Sequence, residues 1–444
     1  MNITSFLTDS RKLIYVLGGA IGLMVFIAFI FIIRSFASST GSATSGQLTV
    51  WGVFDDPSTF DASIQAFQKA NKNISVTYKL IPFASYESTL LNALAANQGP
   101  DIFMIHDTWL PKDIAKLAPL PATAPGTSAP LMTIRQFQDT FVDVAANDLI
   151  NGGKIYAMPL YVDTLALFYN RDLLSAAGIA VPPKTWAEFQ DDVQKLTKYD
   201  QSRNITQSGA AMGTSSNINR STDILMMLML QSGVQMTSAD NSQATFSQSV
   251  NGINVGETAL QFYTDFANPS KAVYTWNDSQ DYDIDAFSAG KTAMIVNYEH
   301  TIPTIRAAAP RLNFGIAPIP QPTSSDSHTY ADYWALAVAQ QSKNPDAAWA
   351  FIDYMTAGDG TVPYLNAAVR PSARRDLISQ QSSDPDLGVF AEQALTARSW
   401  FQIDNSAIET IFADMIDSVN LGRLSVQDAL RDAESKVTVL MSGQ

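Results

Sequence analysis

A chain of 444 residues exceeds the size at which one hydrophobic core stops growing, so two lobes or domains are expected. Hydrophobic residues at 46% against 16% charged give globular composition, and 42 acidic against 28 basic residues give a net charge of −14, which repels phosphate backbones and speaks against a nucleic-acid partner. Cysteine is absent, which excludes disulfides, thiolate metal sites, cysteine nucleophiles and a lipid-modified cysteine; His106, His300 and His328 lie too far apart in sequence to predict a metal centre, and no cofactor is expected.

Leu13 to Ile33 is a run of 21 residues without a charge. As a helix it is long enough to cross a hydrocarbon core of about 30 Å. Arg11 and Lys12 precede it and Arg34 follows, which puts residues 1–12 in the cytoplasm and everything after Arg34 outside. The rival reading is a cleaved signal peptide, whose apolar region spans only about 7–15 residues. Length therefore favours an uncleaved, single-pass anchor at 13–33. Ser35 to Gln47 is rich in Ser, Thr, Gly and Ala and reads as a flexible tether reaching about 20 Å.

Leu48 to Val53 is a short apolar run with β-formers, a buried strand. Asp56 caps a helix with Pro57 at its first position, and Phe60, Ile64 and Phe67 recur at helical spacing. Ile74, Val76, Tyr78 and Leu80 alternate as a second strand. Ser85 opens a helix carrying Tyr86, Leu90, Leu91 and Leu94, and Ile102 to Ile105 is a third strand. This alternation predicts a parallel α/β sheet. Further strands are expected at Ala166–Tyr169, Thr292–Val296, Phe314–Ala317 and Trp334–Val338. Thr185 with Glu188, and Ser406 with Glu409, form capping boxes. Asn344-Pro345 starts another helix, Gly422 is a C′ stop, and Ser425 opens the last helix. Pro119 to Pro130 is a proline-rich exposed loop, and no internal repeat is present.

Ligands of open α/β sheets bind beyond the carboxyl ends of the strands. The first strand ends into Phe54-Asp55-Asp56 and the third into His106-Asp107-Thr108-Trp109, so carboxylates and aromatics converge at one rim. Carboxylates accept paired hydrogen bonds from vicinal hydroxyls, and aromatic faces stack on the C–H side of a sugar ring. Asp56 reads better as a helix cap, Trp51 as core, and His106 as a structural histidine. No G-x-S-x-G, H-E-x-x-H, phosphate-loop or G-x-G-x-x-G pattern occurs, so nothing points to an enzyme; the paired carboxylates of a glycoside hydrolase stay open as an alternative.

Several segments in shared order carry a resemblance: Gln98-Gly99-Pro100-Asp101-Ile102, Gly153-Lys154-Ile155-Tyr156-Ala157-Met158-Pro159, Ala166 to Leu174, and Pro182 to Phe189. They continue through Phe287 to Met294, Ala317-Pro318-Ile319-Pro320, and Asn344 to Ile352. From Leu48 to Met441 the chain resembles the extracellular solute-binding proteins of ABC importers, the family that includes the maltose-binding protein. The resemblance implies a two-lobed α/β fold of the periplasmic-binding-protein type (type II). Lobe one takes 47–161 and 321–366, and lobe two takes 162–320 and 367–444. Hinge crossings are implied near Pro159–Asp163 and Pro318–Pro322. It also implies a monomer that closes on a carbohydrate and delivers it to a membrane permease.

Residue by residue, the resemblance implies cleft contacts at Asp107, Asp163, His300 and the stretch Asn217–Asn219. Asp107 matches a sugar-binding aspartate, and His300 falls where the maltose-binding protein has a stacking tryptophan. Trp109 and Asp55 join them from the strand ends, and Tyr298, Tyr330, Trp334 and Trp400 are the aromatics that could replace the lost ring. Two more readings stay open: a polyamine held in the same fold, and a domain that binds a protein partner.

Overall fold

In a computed structural model the protein is described over residues 46–124, 129–249, 252–323 and 327–443. The expected membrane run Leu13–Ile33 lies outside the described residues; among those described, no helix is long and apolar enough to cross a membrane. The chain opens with β1 (Gly46–Gly52), α1 (Pro57–Ala70), β2 (Ile74–Leu80), α2 (Phe83–Ala95) and β3 (Ile102–His106). Asp56 caps α1 by accepting from the Ser58 amide at 2.9 Å, with Pro57 in the first turn, and Phe60, Ile64 and Phe67 fill the buried face. α2 begins two residues before Ser85, at Phe83, behind Pro82. β1 pairs in parallel with both β2 and β3, as the strand–helix alternation requires.

The first sheet also takes in β4 (Leu117–Ala118) and β5 (Ala157–Pro159), after which β6 (Asp163–Thr164) leaves it. The second lobe follows with β7 (Ala166–Asn170), α3 (Trp186–Leu196), α4 (Ser221–Gln231), β8 (Met294–Asn297) and β9 (Phe314–Ala317). Its sheet is antiparallel, in the order β8-β7-β9. Next come β10 (Thr329–Asp332), β11 (Trp334–Ala339), α5 (Pro345–Thr356), β12 (Ala397–Arg398), α6 (Asn405–Asn420) and α7 (Val426–Ser442). β11 returns to the first sheet, antiparallel to β3, β4 and β5.

Two separate hydrophobic cores result. Val162 belongs to the first and Leu165 to the second, so the chain crosses within β6. Ile319 and Tyr330 both belong to the second core and Ala331 to the first, so the return crossing lies within β10 and not at Pro318–Pro322. The prolines stiffen an extended segment whose Ile319 instead packs in the second core, while its amide donates to Gln393 Oε1 at 2.9 Å. A third crossing follows β12, between Ala397 of the first core and Trp400 of the second. Ala373, Leu377 and Ile378 also sit in the first core, past the 366/367 boundary expected from sequence.

β10 pairs with β6 on one side and β12 on the other, so one small sheet carries all three crossings. In its register Asp332 stands opposite Asp163.

Candidate functional site

The hinge sheet places those two carboxylates at the floor of a cleft of about 1000 Å³ that is lined by both lobes. Lobe one supplies an aromatic wall. Trp334 opens β11 directly after the hinge strand, and Trp109, His106, Tyr86, Phe54 and Phe83 surround its indole at 5.2–6.3 Å with interplanar angles of 70–87°. Such edge-to-face contacts fix the indole's orientation. Trp109 follows β3 on a short 3₁₀ turn, and Lys112 lies 4.5 Å over its ring while pairing with Glu87 at 2.6 Å.

Phe54 reaches the wall through a strained turn. Its φ is +64°, and the Asp55 amide donates to the Val53 carbonyl at 2.7 Å, closing a three-residue loop around it. A bulky side chain in the left-handed region costs about 1–3 kcal/mol, so the surroundings must impose it. They do: the Asp55 carbonyl accepts from Tyr78 Oη at 3.0 Å and its carboxylate from Tyr364 Oη at 2.8 Å, with Arg370 3.6 Å away.

The floor is a chain of alternating charge. His106 sits between Asp107 and Asp332, each carboxylate 3.0 Å from one ring nitrogen. Burial alone would depress the imidazole, but the two carboxylates raise its pKa well above the ordinary value. Burial would likewise raise Asp332, yet His106 and Arg220 hold its carboxyl well below the usual carboxylate range. These three side chains bring possible metal-ligating atoms within 4.8 Å of one another. In this geometry both imidazole nitrogens already face protein oxygens, Nδ1 the Thr108 hydroxyl at 2.8 Å beside Asp107 and Nε2 the Asp332 carboxylate at 3.0 Å. Arg220, just before α4, lies 3.7 Å from Asp332, donates to His300 Nε2 at 3.0 Å and stacks 4.9 Å over Tyr298. An arginine donor at Nε2 leaves the proton on Nδ1, which faces Asp163 Oδ2 at 3.5 Å. Asp163 Oδ1 accepts the Thr164 and Glu299 amides at 2.8 and 3.1 Å. Its Oδ2 and Arg220 Nε are buried without a hydrogen-bond partner among the described residues.

Of the residues singled out from sequence, Trp109, Asp163, His300 and Trp334 come together on this cleft. Asp107 and Tyr298 lie behind the floor around a void of about 20 Å³, with the Tyr298 hydroxyl donating to Asp223 at 3.1 Å. Asp55 holds the Phe54 turn and does not line the cleft. Asn217 and Asn219 also lie away from it: Asn217 accepts from Trp276 Nε1 at 2.9 Å, and Asn219 donates to Tyr282 Oη at 2.9 Å. Trp400 packs on Met226, its indole N–H 3.1 Å from the sulfur, and borders a different cavity of about 360 Å³. Phe54, Phe83, Arg220, Asp332 and Arg370 line the cleft without having been singled out. The one signal available was Phe54, an aromatic at a strand's carboxyl end.

Two lobes, three hinge strands and a polar–aromatic cleft between them define a hinged binding protein. The chain belongs to the bacterial extracellular solute-binding protein family, whose model matches residues 51–361. A binding protein of Brucella abortus is 21% identical over 388 residues, covering 86% of this chain and 89% of that one. The maltotriose-binding protein of Pyrococcus abyssi is 23% identical over 336 residues, 72% of this chain and 65% of its own length. Among solved structures, the cyclic α-maltosyl-1,6-maltose binding protein from Arthrobacter globiformis superposes with a TM-score of 0.74 at 21% identity, over 90% of this chain and all of that one.

Proposed function

We propose that the protein is the substrate-binding subunit of an ABC importer that captures a carbohydrate by closing its lobes. In this reading the apolar run Leu13–Ile33 would anchor it at the extracytoplasmic face of the membrane, where it hands the sugar to a permease. One observation carries the ligand class: Trp109 and Trp334 line one cleft together with the buried Asp163, the half-buried Asp332 and Arg220, and the exposed His300. Indole faces suit the C–H side of a pyranose, and a carboxylate beside a guanidinium suits vicinal hydroxyls. A volume of about 1000 Å³ is at the upper end for ligand pockets, which favours an oligosaccharide over a single ring. The relatives named for maltotriose and for a cyclic maltosyl-maltose agree in ligand class. A polyamine finds less support, because the cleft's carboxylates alternate with Arg220, Arg370 and His106.

Seven tryptophans make a fluorescence titration informative. Neutral oligosaccharides should quench or shift the emission, and spermidine should not. Asp163→Ala should weaken the sugar at least tenfold, about 1.4 kcal/mol, in a protein that still folds but melts lower because the Thr164 and Glu299 amides lose their acceptor. A response to spermidine alone, or release of chromophore from a chromogenic glycoside, would contradict the assignment.

A further inference from the structure

We propose that Asn217 is a positioning residue for ligand capture: it clamps the loop ahead of α4 onto residues 276–283 and so sets the Arg220 guanidinium at the cleft floor, without meeting the ligand itself. The effect on affinity rests on the carbohydrate reading above, whereas the clamp is a separate claim about Arg220. That arginine needs such a device. It stands at the N-cap of α4, where the helix holds only its carbonyl, through the Ile224 amide at 2.9 Å, and no side chain caps that end. Its guanidinium nevertheless reaches Asp332 at 3.7 Å, His300 Nε2 at 3.0 Å and the face of Tyr298 at 4.9 Å. These partners lie on β10 and on residues 298–300, so a shift of the backbone ahead of α4 loses them together.

Residues 211–220 form neither helix nor strand, so side chains must fix the path of this loop. Asn217 does most of that. A carboxamide has two donor hydrogens and two acceptor lone pairs, and here all four are used. Nδ2 donates to the Asn277 and Gln280 carbonyls at 3.0 and 3.1 Å, and Oδ1 accepts from Trp276 Nε1 at 2.9 Å and Thr214 Oγ1 at 2.6 Å. The Asn217 carbonyl takes a fifth bond, from the Asp283 amide at 3.0 Å. Four of the five partners belong to residues 276–283, so one residue joins the two segments at several points. Trp276 is fully buried in the second core, which anchors the far side of the clamp. Nearer the guanidinium, Asn219 Nδ2 donates to Tyr282 Oη at 2.9 Å, a second tie to the same segment. Neither asparagine lines the cleft. A side-chain network satisfied at every atom is rigid, and that rigidity is passed to Arg220 three residues on.

The test is a double-mutant cycle on the full chain in detergent, read with and without ligand. Calorimetry with maltotetraose and mannotriose gives the first readout. For the sugar that binds, Asn217→Ala should weaken it about fivefold, and Asn219→Ala by less. Both losses should vanish in an Arg220→Ala background, leaving each double variant within about twofold of Arg220→Ala alone. The second readout needs no ligand. With three histidines in the chain, nitrogen NMR at pH about 8.5, where an ordinary imidazole is neutral, can follow His300 Nε2, the acceptor of the Arg220 bond. Asn217→Ala should move that resonance the same way as Arg220→Ala does. A merely structural Asn217 would lower the melting temperature, leave Nε2 unmoved and give losses that add to those of Arg220→Ala. Asn219 is exposed, so its variant carries the same two readouts should Asn217→Ala fail to fold. An unmoved Nε2 resonance with additive losses would overturn the clamp and leave the carbohydrate reading standing. Failure of every neutral sugar to bind the wild type would overturn that reading, and the Nε2 resonance would then decide the clamp by itself.

Discussion

Glu299 shows how one side chain couples the cleft to pH. It is 3% exposed, and burial together with the Asp163 charge lifts its carboxyl to about 8, against the pull of Arg370 3.4 Å away. The folded protein thus holds this proton more tightly than the unfolded chain does. Its contribution is complete below the unfolded value near 4.5 and is lost as pH rises toward 8, at up to about 1.4 kcal/mol per pH unit. Glu299→Gln should flatten the dependence of stability on pH between 5 and 8 and raise the melting temperature at pH 8. Urea titrations at both pH values check this, and a slope unchanged in the variant would contradict it. Asp332 works in the opposite sense: its depressed carboxyl stabilises the fold above the ordinary aspartate range, and that contribution fades in acid. Trp109 was legible because it follows a strand end, whereas Asp163, His300 and Trp334 were reached only through the family resemblance. Arg220, Asp332 and Arg370 were illegible because their position depends on a hinge crossing and on ion pairs between residues 70 or more positions apart.

At the scale of elements, two sequence signatures of one type have different outcomes. Thr185 and Glu188 form a reciprocal box at the start of α3, Thr185 Oγ1 accepting from the Glu188 amide at 3.2 Å. Ser406 and Glu409 do not. α6 starts at Asn405, and Asp404 caps it by accepting from the Ala407 amide at 3.1 Å. Glu409 turns to the cleft, where Asn405 bonds it and His106 and Arg220 attract it. Here a local motif loses to a tertiary field, as happens where a helix end borders a binding site. Thr185→Ala and Asp404→Ala should therefore each cost about 1 kcal/mol, while Ser406→Ala should stay within about 0.5 kcal/mol of wild type. Chemical denaturation of the three variants separates the two cases. Most elements were readable: β2 and β9 fall on their expected residues, and Gly422, at φ +64°, ends α6 as a C′ glycine.

For the whole molecule the question is what holds the lobes together before a ligand arrives. Trp109 Nε1 of lobe one donates to Asn405 Oδ1 of lobe two at 3.0 Å, Arg370 meets Glu299 at 3.4 Å, and Arg220 meets Asp332 at 3.7 Å. None of these ties is large. The partly exposed Arg220–Asp332 pair contributes about 1 kcal/mol or less, and in the buried Arg370–Glu299 pair desolvation offsets the attraction, so these ties bias closure without locking it. The bias matters because apparent affinity scales with the population already competent to bind. Asn405→Ala removes the indole's acceptor and leaves Trp109 on its aromatic wall. It should shift the unliganded ensemble toward open lobes, seen as a larger radius of gyration in small-angle scattering. Apparent sugar affinity should fall in proportion to the closed fraction lost, about fivefold for 1 kcal/mol. A saturating oligosaccharide should return the variant to the compact wild-type dimension, since ligand contacts from both lobes replace the missing bond. A variant that stays open when saturated would mean that Asn405 is needed to build the closed state, and a variant of unchanged dimension and affinity would mean that closure rests on the three hinge strands alone.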